Sequence, residues 1–147
     1  MQLTGSHILN APVSKIWTML MDTDTLARVV PGVSRLEKTG ENEYNAVAEI
    51  KLGPVSGSFS GTLSLGDIQE NEGYTLHVKQ NSKIGNADAI VKIALNPVTD
   101  TQTEISFDGD ARLSGLLART GNRVISGVAT TLTKQFFNNF EEELKTL

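Results

Sequence analysis

Cysteine is absent from the 147-residue chain, which excludes disulfides, thiolate metal sites and cysteine nucleophiles. Long apolar runs are missing too, and none approaches the roughly 20 residues that a membrane helix needs. No positively charged stretch followed by an apolar run opens the chain, so no signal peptide is read and a cytoplasmic location is expected. Aromatic residues make up only 5% of the sequence, and its 13 basic residues are outnumbered by 17 acidic ones for a net charge of −4. The two signs are interspersed rather than gathered into a basic stripe, so a nucleic-acid partner is not expected. No His/Asp/Glu group has metal-ligand spacing, no glycine-rich loop precedes a helix to cradle a phosphate, and no serine sits in a nucleophile elbow. Proline is sparse, and Pro12, Pro31, Pro54 and Pro97 each fall where a run of apolar periodicity ends.

A chain of this length reads as one domain, residues 1–147, large enough to bury a core without staples. A strand is expected over Leu3 to Ala11. Pro12 then suits the first turn of a helix on which Val13, Ile16, Trp17 and Leu20 recur. A second short helix is expected from Asp24 to Val30, stopped by Pro31-Gly32. Beyond Gly32 the period becomes two. Tyr44, Ala46, Ala48, Ile50 and Leu52 share one face of a strand, and Glu43, Asn45, Glu49 and Lys51 share the other. Similar alternation follows through Val55–Leu65, Tyr74–Val78, Ala87–Leu95 and Thr103–Ala111, with turn residues between. Hairpin-length spacing favours an antiparallel sheet, and segregated helices make the fold α+β, with seven strands in all. A long helix is expected from Leu113 to Leu147, its stripe of Leu117, Gly121, Val124, Ile125, Val128, Leu132 and Phe136 laid on the sheet.

The inward strand positions are small: Ala46, Ala48, Gly57, Gly61, Ala87, Ala89, Gly109 and Ala111. The first half of the helix stripe is small as well, whereas Leu132, Phe136 and Phe140 in its second half are large. Interiors pack to a density of about 0.75, so a curved sheet lined this way either collapses onto the helix or holds a ligand. The size gradient places an apolar plug at the helix C-terminal end and a pocket toward its N-terminal end. The expected lining is His7, Phe59, Gly61, Val78, Gln80, Ala89 and Phe107 from the strands, with Leu117, Gly121, Val124 and Val128 from the helix. Glycines such as Gly57 and Gly61 equally mark bends where a sheet coils. Gly121 and Gly127 inside the helix each cost about 1 kcal/mol relative to Ala, to be offset by close approach of a ligand or loop, or expressed as a kink.

Few residues offer chemistry. His7 is read as inward and His77 as outward, and a lone inward histidine is more often a hydrogen-bonded core group than a base. Tyr44, Gln80 and Ser82 could orient a ligand or be satisfied core polar groups. Arg119 and Arg123 lie one turn apart near the helix N-terminus, where the dipole disfavours cations. Their placement implies either salt bridges to Asp108 and Asp110 or an acidic partner surface. Glu141, Glu142 and Glu143 read as a solvated face.

The order strand, two helices, six strands, long helix resembles the helix-grip fold of the START-like (SRPBCC) superfamily. Within it the chain is similar to the G-subunit family of carbon monoxide dehydrogenase. The resemblance rests on Ala11-Pro12 with Trp17 and Asp22, then Pro31-Gly32-Val33. It continues through Gly53-Pro54-Val55 with Gly57, Phe59 and Gly61, then Leu117-Ala118, Gly121, Arg123-Val124-Ile125, Gln135-Phe136-Phe137 and Phe140. It implies a non-catalytic accessory of a molybdenum-containing oxidoreductase that binds a quinone, fatty acid or other lipid, with at most transient membrane contact. It also implies that Pro31-Gly32 forms the pocket mouth, that Trp17 packs the helical pair beneath the sheet, and that Gly121 and Arg123 lie beside the portal. A docking or assembly factor with an incidental cavity is the alternative, and a small cyclase or hydrolase a further one.

Overall fold

The computed structural model describes residues 1–146; Leu147, where the long helix was expected to end, lies outside the described residues. The chain opens with β1 (Gln2–Leu9), α1 (Val13–Leu20) and α2 (Thr23–Val29). Strands β2 (Val33–Gly40), β3 (Glu43–Leu52), β4 (Val55–Gln69), β5 (Gly73–Ser82), β6 (Gly85–Thr99) and β7 (Gln102–Leu113) follow. They form one antiparallel sheet in the order β1-β7-β6-β5-β4-β3-β2. From β2 to β7 every strand pairs with its neighbour in sequence, and only β1 reaches across the chain, with Gln2 opposite Asp110 and Leu9 opposite Thr103. Alternation made this topology readable, because each hairpin is a local pairing of two amphipathic strands. Asn42 and Asn71 take left-handed backbone in their turns, a conformation asparagine tolerates better than most residues.

The C-terminal helix is not continuous. It divides into α3 (Gly115–Thr120) and α4 (Asn122–Lys145) at Gly121, whose φ of 98° and ψ of 146° lie outside any helix. Only glycine occupies this region without strain, so the break is written into that residue. Gly127, by contrast, stays inside α4.

Two apolar clusters hold the layers together. The larger joins Leu9 and Ala11 to Ile16, Trp17, Met19, Leu20 and Val29 of the helical pair, to Leu95 and Ile105 of the sheet, and to Phe137 and Phe140 of α4. Trp17 meets Tyr74 edge-on at 5.9 Å between ring centres, so it packs the helical pair under the sheet. The smaller cluster packs Val55, Phe59 and Leu117 with Ile125 and Val128. The C-terminal half of α4 is further tied by Asn139 Nδ2 donating to the Val29 carbonyl (3.1 Å), Arg28 to Glu143 (2.7 Å) and His7 to Glu141 (2.5 Å). Of the expected solvated face, Glu142 stays exposed and meets Lys145 at 3.2 Å, Glu141 stays half-exposed, and Glu143 is drawn against Arg28 and is largely covered.

Candidate functional site

Three groups of elements enclose a cavity of about 370 Å³. The inner sheet face contributes Leu36, Tyr44, Leu63, Leu65, Tyr74, Leu76, Val91, Ile93, Ile105 and Phe107. The helical pair and the loop after it add Leu20, Leu26, Val30 and Pro31, the start of β2 adds Val33, and α4 adds Leu132, Thr133, Phe136 and Phe137. Asp22 fixes the entry to α2 by accepting from the Thr25 amide (3.1 Å) and hydroxyl (2.6 Å), which in turn positions Leu26 and Val30. Those bonds hold the Asp22 carboxyl below its ordinary pKa. At the other end of this segment, the Glu49 amide donates to the Gly32 carbonyl at 2.8 Å and anchors the Pro31-Gly32 loop to β3.

The wall is almost wholly apolar. Its polar side chains are Tyr44, Tyr74 and Thr133. Thr133 Oγ1 donates to the Ala129 carbonyl of its own helix at 2.8 Å. Burial first, and the charge of Tyr44 second, push the Tyr74 phenol far above its usual pKa, so it remains a neutral donor. Among the described residues no group of three or more His, Cys, Asp or Glu gathers to hold a metal.

A second recess of about 360 Å³ lies between β1 and α4, lined by Leu3 to His7, Phe107, Ala129, Thr130, Thr133, Lys134, Phe137 and Asn138. Phe107, Thr133 and Phe137 face both spaces, so they form the partition between them. His7 stacks on Phe137 with ring centres 4.5 Å apart and planes 16° from parallel. Its acid partner, Glu141, is distant in sequence, and the sequence offered no signal for it.

The expected pocket residues disperse. Pro31 and Phe107 reach the cavity wall, and His7 reaches the second recess. Phe59, Leu117 and Val128 belong to the smaller apolar cluster. Val78 pairs with Ala89 and Gln80 with Ala87 farther along the sheet, all partly buried. Gln80 Nε2 is enclosed without a hydrogen-bond partner. Gly61 faces the Lys79 carbonyl so closely that a Cβ would collide with it, which makes it a point of close backbone approach. Gly32, Gly121 and Val124 are exposed. Nothing lies within 4 Å of a Cβ at Gly121.

The gradient argument also placed the space at the wrong end of the helix. The cavity abuts Leu132, Phe136 and Phe137, while the small N-terminal half covers the second apolar cluster. Curvature holds the large residues of sheet and helix apart, whereas of the small ones Gly61 sits at a close backbone approach and Gly57 and Gly121 have nothing within 4 Å of an added Cβ. The missed wall residues Leu63, Leu65, Leu76, Ile93 and Ile105 were all legible as inward-facing; side-chain volume was the misleading signal.

Arg119 and Arg123 are exposed, and neither enters an ion pair among the described residues. The expected bridges to Asp108 and Asp110 do not form. Asp110 meets the N-terminal amine at 3.2 Å, and Asp108 accepts from Gln2 Nε2 at 3.2 Å. Leu116, 56% exposed, lies on the adjoining α3. Among the described residues no helix is long and apolar enough to cross a membrane.

A curved seven-stranded antiparallel sheet, a helical pair after the first strand and a long C-terminal helix over an apolar space define a START-like, helix-grip protein. Solved structures of that fold align over nearly the whole chain. A conserved protein from Geobacillus kaustophilus superposes with a TM-score of 0.96 at 29% identity, covering 99% of this chain and 96% of its own. A START superfamily protein from Mycobacterium smegmatis gives 0.76 at 11% identity, covering 99% and 97%. An aromatase/cyclase from a Streptomyces species gives 0.74 at 9%, covering 99% and 93%. No curated protein sequence matches the chain. Residues 5–145 match the family of the carbon monoxide dehydrogenase G subunit (CoxG), and the chain belongs to that family.

Proposed function

We propose that this protein is a non-catalytic carrier of an apolar small molecule, a quinone or a lipid, serving a molybdenum hydroxylase of the carbon monoxide dehydrogenase type in the cytoplasm. The observation that carries the reading is the cavity: about 370 Å³, within the roughly 300–1,000 Å³ of small-molecule sites, and walled almost entirely by aliphatic and aromatic side chains. Such a wall extracts an apolar guest from water without orienting it for reaction. Family membership supports the enzyme partner. General acid–base chemistry finds little to run on there, since among the described residues the only titratable wall groups are two tyrosines and burial moves Tyr74 further from neutrality. Contact with a membrane, in this reading, is transient.

The unpaired Arg119 and Arg123 beside exposed Leu116 favour a second role, docking on an acidic face of the enzyme. The two roles are compatible in one molecule. Native mass spectrometry of gently purified protein, followed by organic extraction, tests the carrier role. One apolar molecule per chain is expected, or uptake of one apolar probe per chain by stripped protein. A chain that is empty and takes up no such probe refutes it.

A further inference from the structure

Among the described residues the cavity's polar inventory is short, and it is unbalanced. Of its three polar side chains, Thr133 has committed its proton to the Ala129 carbonyl. Tyr44 and Tyr74 are left, one on β3 and one on β5, with β4 between them. No hydrogen bond among the described residues engages either hydroxyl. Tyr44 as a whole is only 4% exposed. Among the described residues, Gln80 Nε2 is the one fully enclosed side-chain nitrogen or oxygen atom without a partner. The phenol oxygens are therefore not sealed in by protein, and both residues line the cavity. Tyr44 stands opposite Leu63, and Leu63 opposite Val78, four residues along β5 from Tyr74, so both tyrosines stand on one cavity wall.

Unpartnered hydroxyls in an apolar enclosure are costly, because desolvation is not offset by a new bond. A hydrocarbon guest would leave that cost in place. A guest carrying a carbonyl or ether oxygen would remove it, accepting from one or both phenols while its apolar body fills the remaining wall. Sites that place donors in this way discriminate strongly by the polar atom and weakly by the apolar frame.

We infer that Tyr44 and Tyr74 form a donor pair that selects, among apolar molecules of suitable size, those presenting an oxygen acceptor. This rests on the carrier reading and narrows it to a ligand class. It disfavours saturated hydrocarbon tails as the buried moiety and favours a ring or chain bearing a carbonyl.

The test uses two rigid probes of one frame, fluorene and 9-fluorenone, on the intact ligand-stripped chain, wild type, Tyr44→Phe, Tyr74→Phe and the double variant. Affinity is read by fluorescence titration, and the carbonyl stretch of bound fluorenone by infrared difference spectroscopy. The expected result is a fluorenone affinity about tenfold weaker in the double variant, the scale of one neutral hydrogen bond, with fluorene binding unchanged. In wild-type protein the carbonyl stretch should lie below its frequency in alkane solvent, and it should return toward that frequency in the double variant. The infrared reading on wild type needs no variant, so a folding defect cannot mask it. Equal losses for both probes make the tyrosines mere shape elements and overturn the inference. So does a fluorenone affinity and carbonyl frequency indifferent to both substitutions, while the carrier reading stands. Failure of both probes to enter wild-type protein sinks both together.

Discussion

Two truncations on one helix measure whether the cavity exists in solution. Phe140 is fully buried, 5.8 Å from the Phe136 ring centre and inside the larger apolar cluster. Leu132, eight residues earlier on α4, has the cavity beside it. Phe140→Ala removes contacts on all sides and leaves a void, so it should cost about 3–5 kcal/mol. A close-packed Leu→Ala change costs about 2–5 kcal/mol. Leu132 faces empty space, and a side chain without partner atoms on one side has already forgone part of its dispersion energy. Ala is also the slightly better helix former. Leu132→Ala should therefore cost only about 1 kcal/mol. Equilibrium urea unfolding of ligand-free protein, with the slope of each transition fitted independently, reads both values. If Leu132→Ala costs as much as Phe140→Ala at unchanged slope, α4 is packed flat on the sheet and the cavity reasoning is wrong.

Gly121→Ala should destabilise by about 1–3 kcal/mol, because the new side chain has room but not the backbone conformation. Gly127→Ala, helical and equally unobstructed, should stabilise by about 0.4–1 kcal/mol; thermal unfolding of the pair checks both signs. Asp22→Ala should cost about 1 kcal/mol at neutral pH through loss of the cap on α2. Because the folded-state pKa of Asp22 is depressed, its contribution is complete above the unfolded-state value near pH 4. It fades as pH falls through the lower folded value. The gap between wild type and variant should thus narrow in urea melts below about pH 4 and stay constant above it. Arg119→Glu combined with Arg123→Glu should leave stability within about 0.5 kcal/mol, as for exposed substitutions generally, and abolish capture of the molybdenum hydroxylase in a pull-down. Retained capture would move the docking face elsewhere.

The strands were legible because each alternates cleanly and pairs with its neighbour in sequence; register needs little more than turn residues such as Asn42 and Asn71. The helix break was half legible. Gly121 was an evident weak point, yet nothing local separated it from Gly127, which the helix tolerates. The site was the least legible. Its wall combines residues from six strands, two short helices and α4, and the distance between them is set by sheet curvature, which no single segment encodes. His7–Glu141 and Arg28–Glu143 were invisible for the same reason: partners more than a hundred residues apart leave no periodic trace.

The main core draws on the first and the last elements of the fold. Leu9, Ile16, Trp17 and Leu20 come from its opening stretch, and Phe137 and Phe140 from its last turns of helix. During synthesis the β2–β7 meander can pair hairpin by hairpin as it leaves the ribosome. The opening segment, however, must wait, its apolar faces uncovered, until β7 and then α4 arrive. Closing so long a loop carries an entropic cost before any contact rewards it. A ribosome stalled before Phe137 would hold a nascent sheet with no keystone, in the state most open to aggregation and to chaperones.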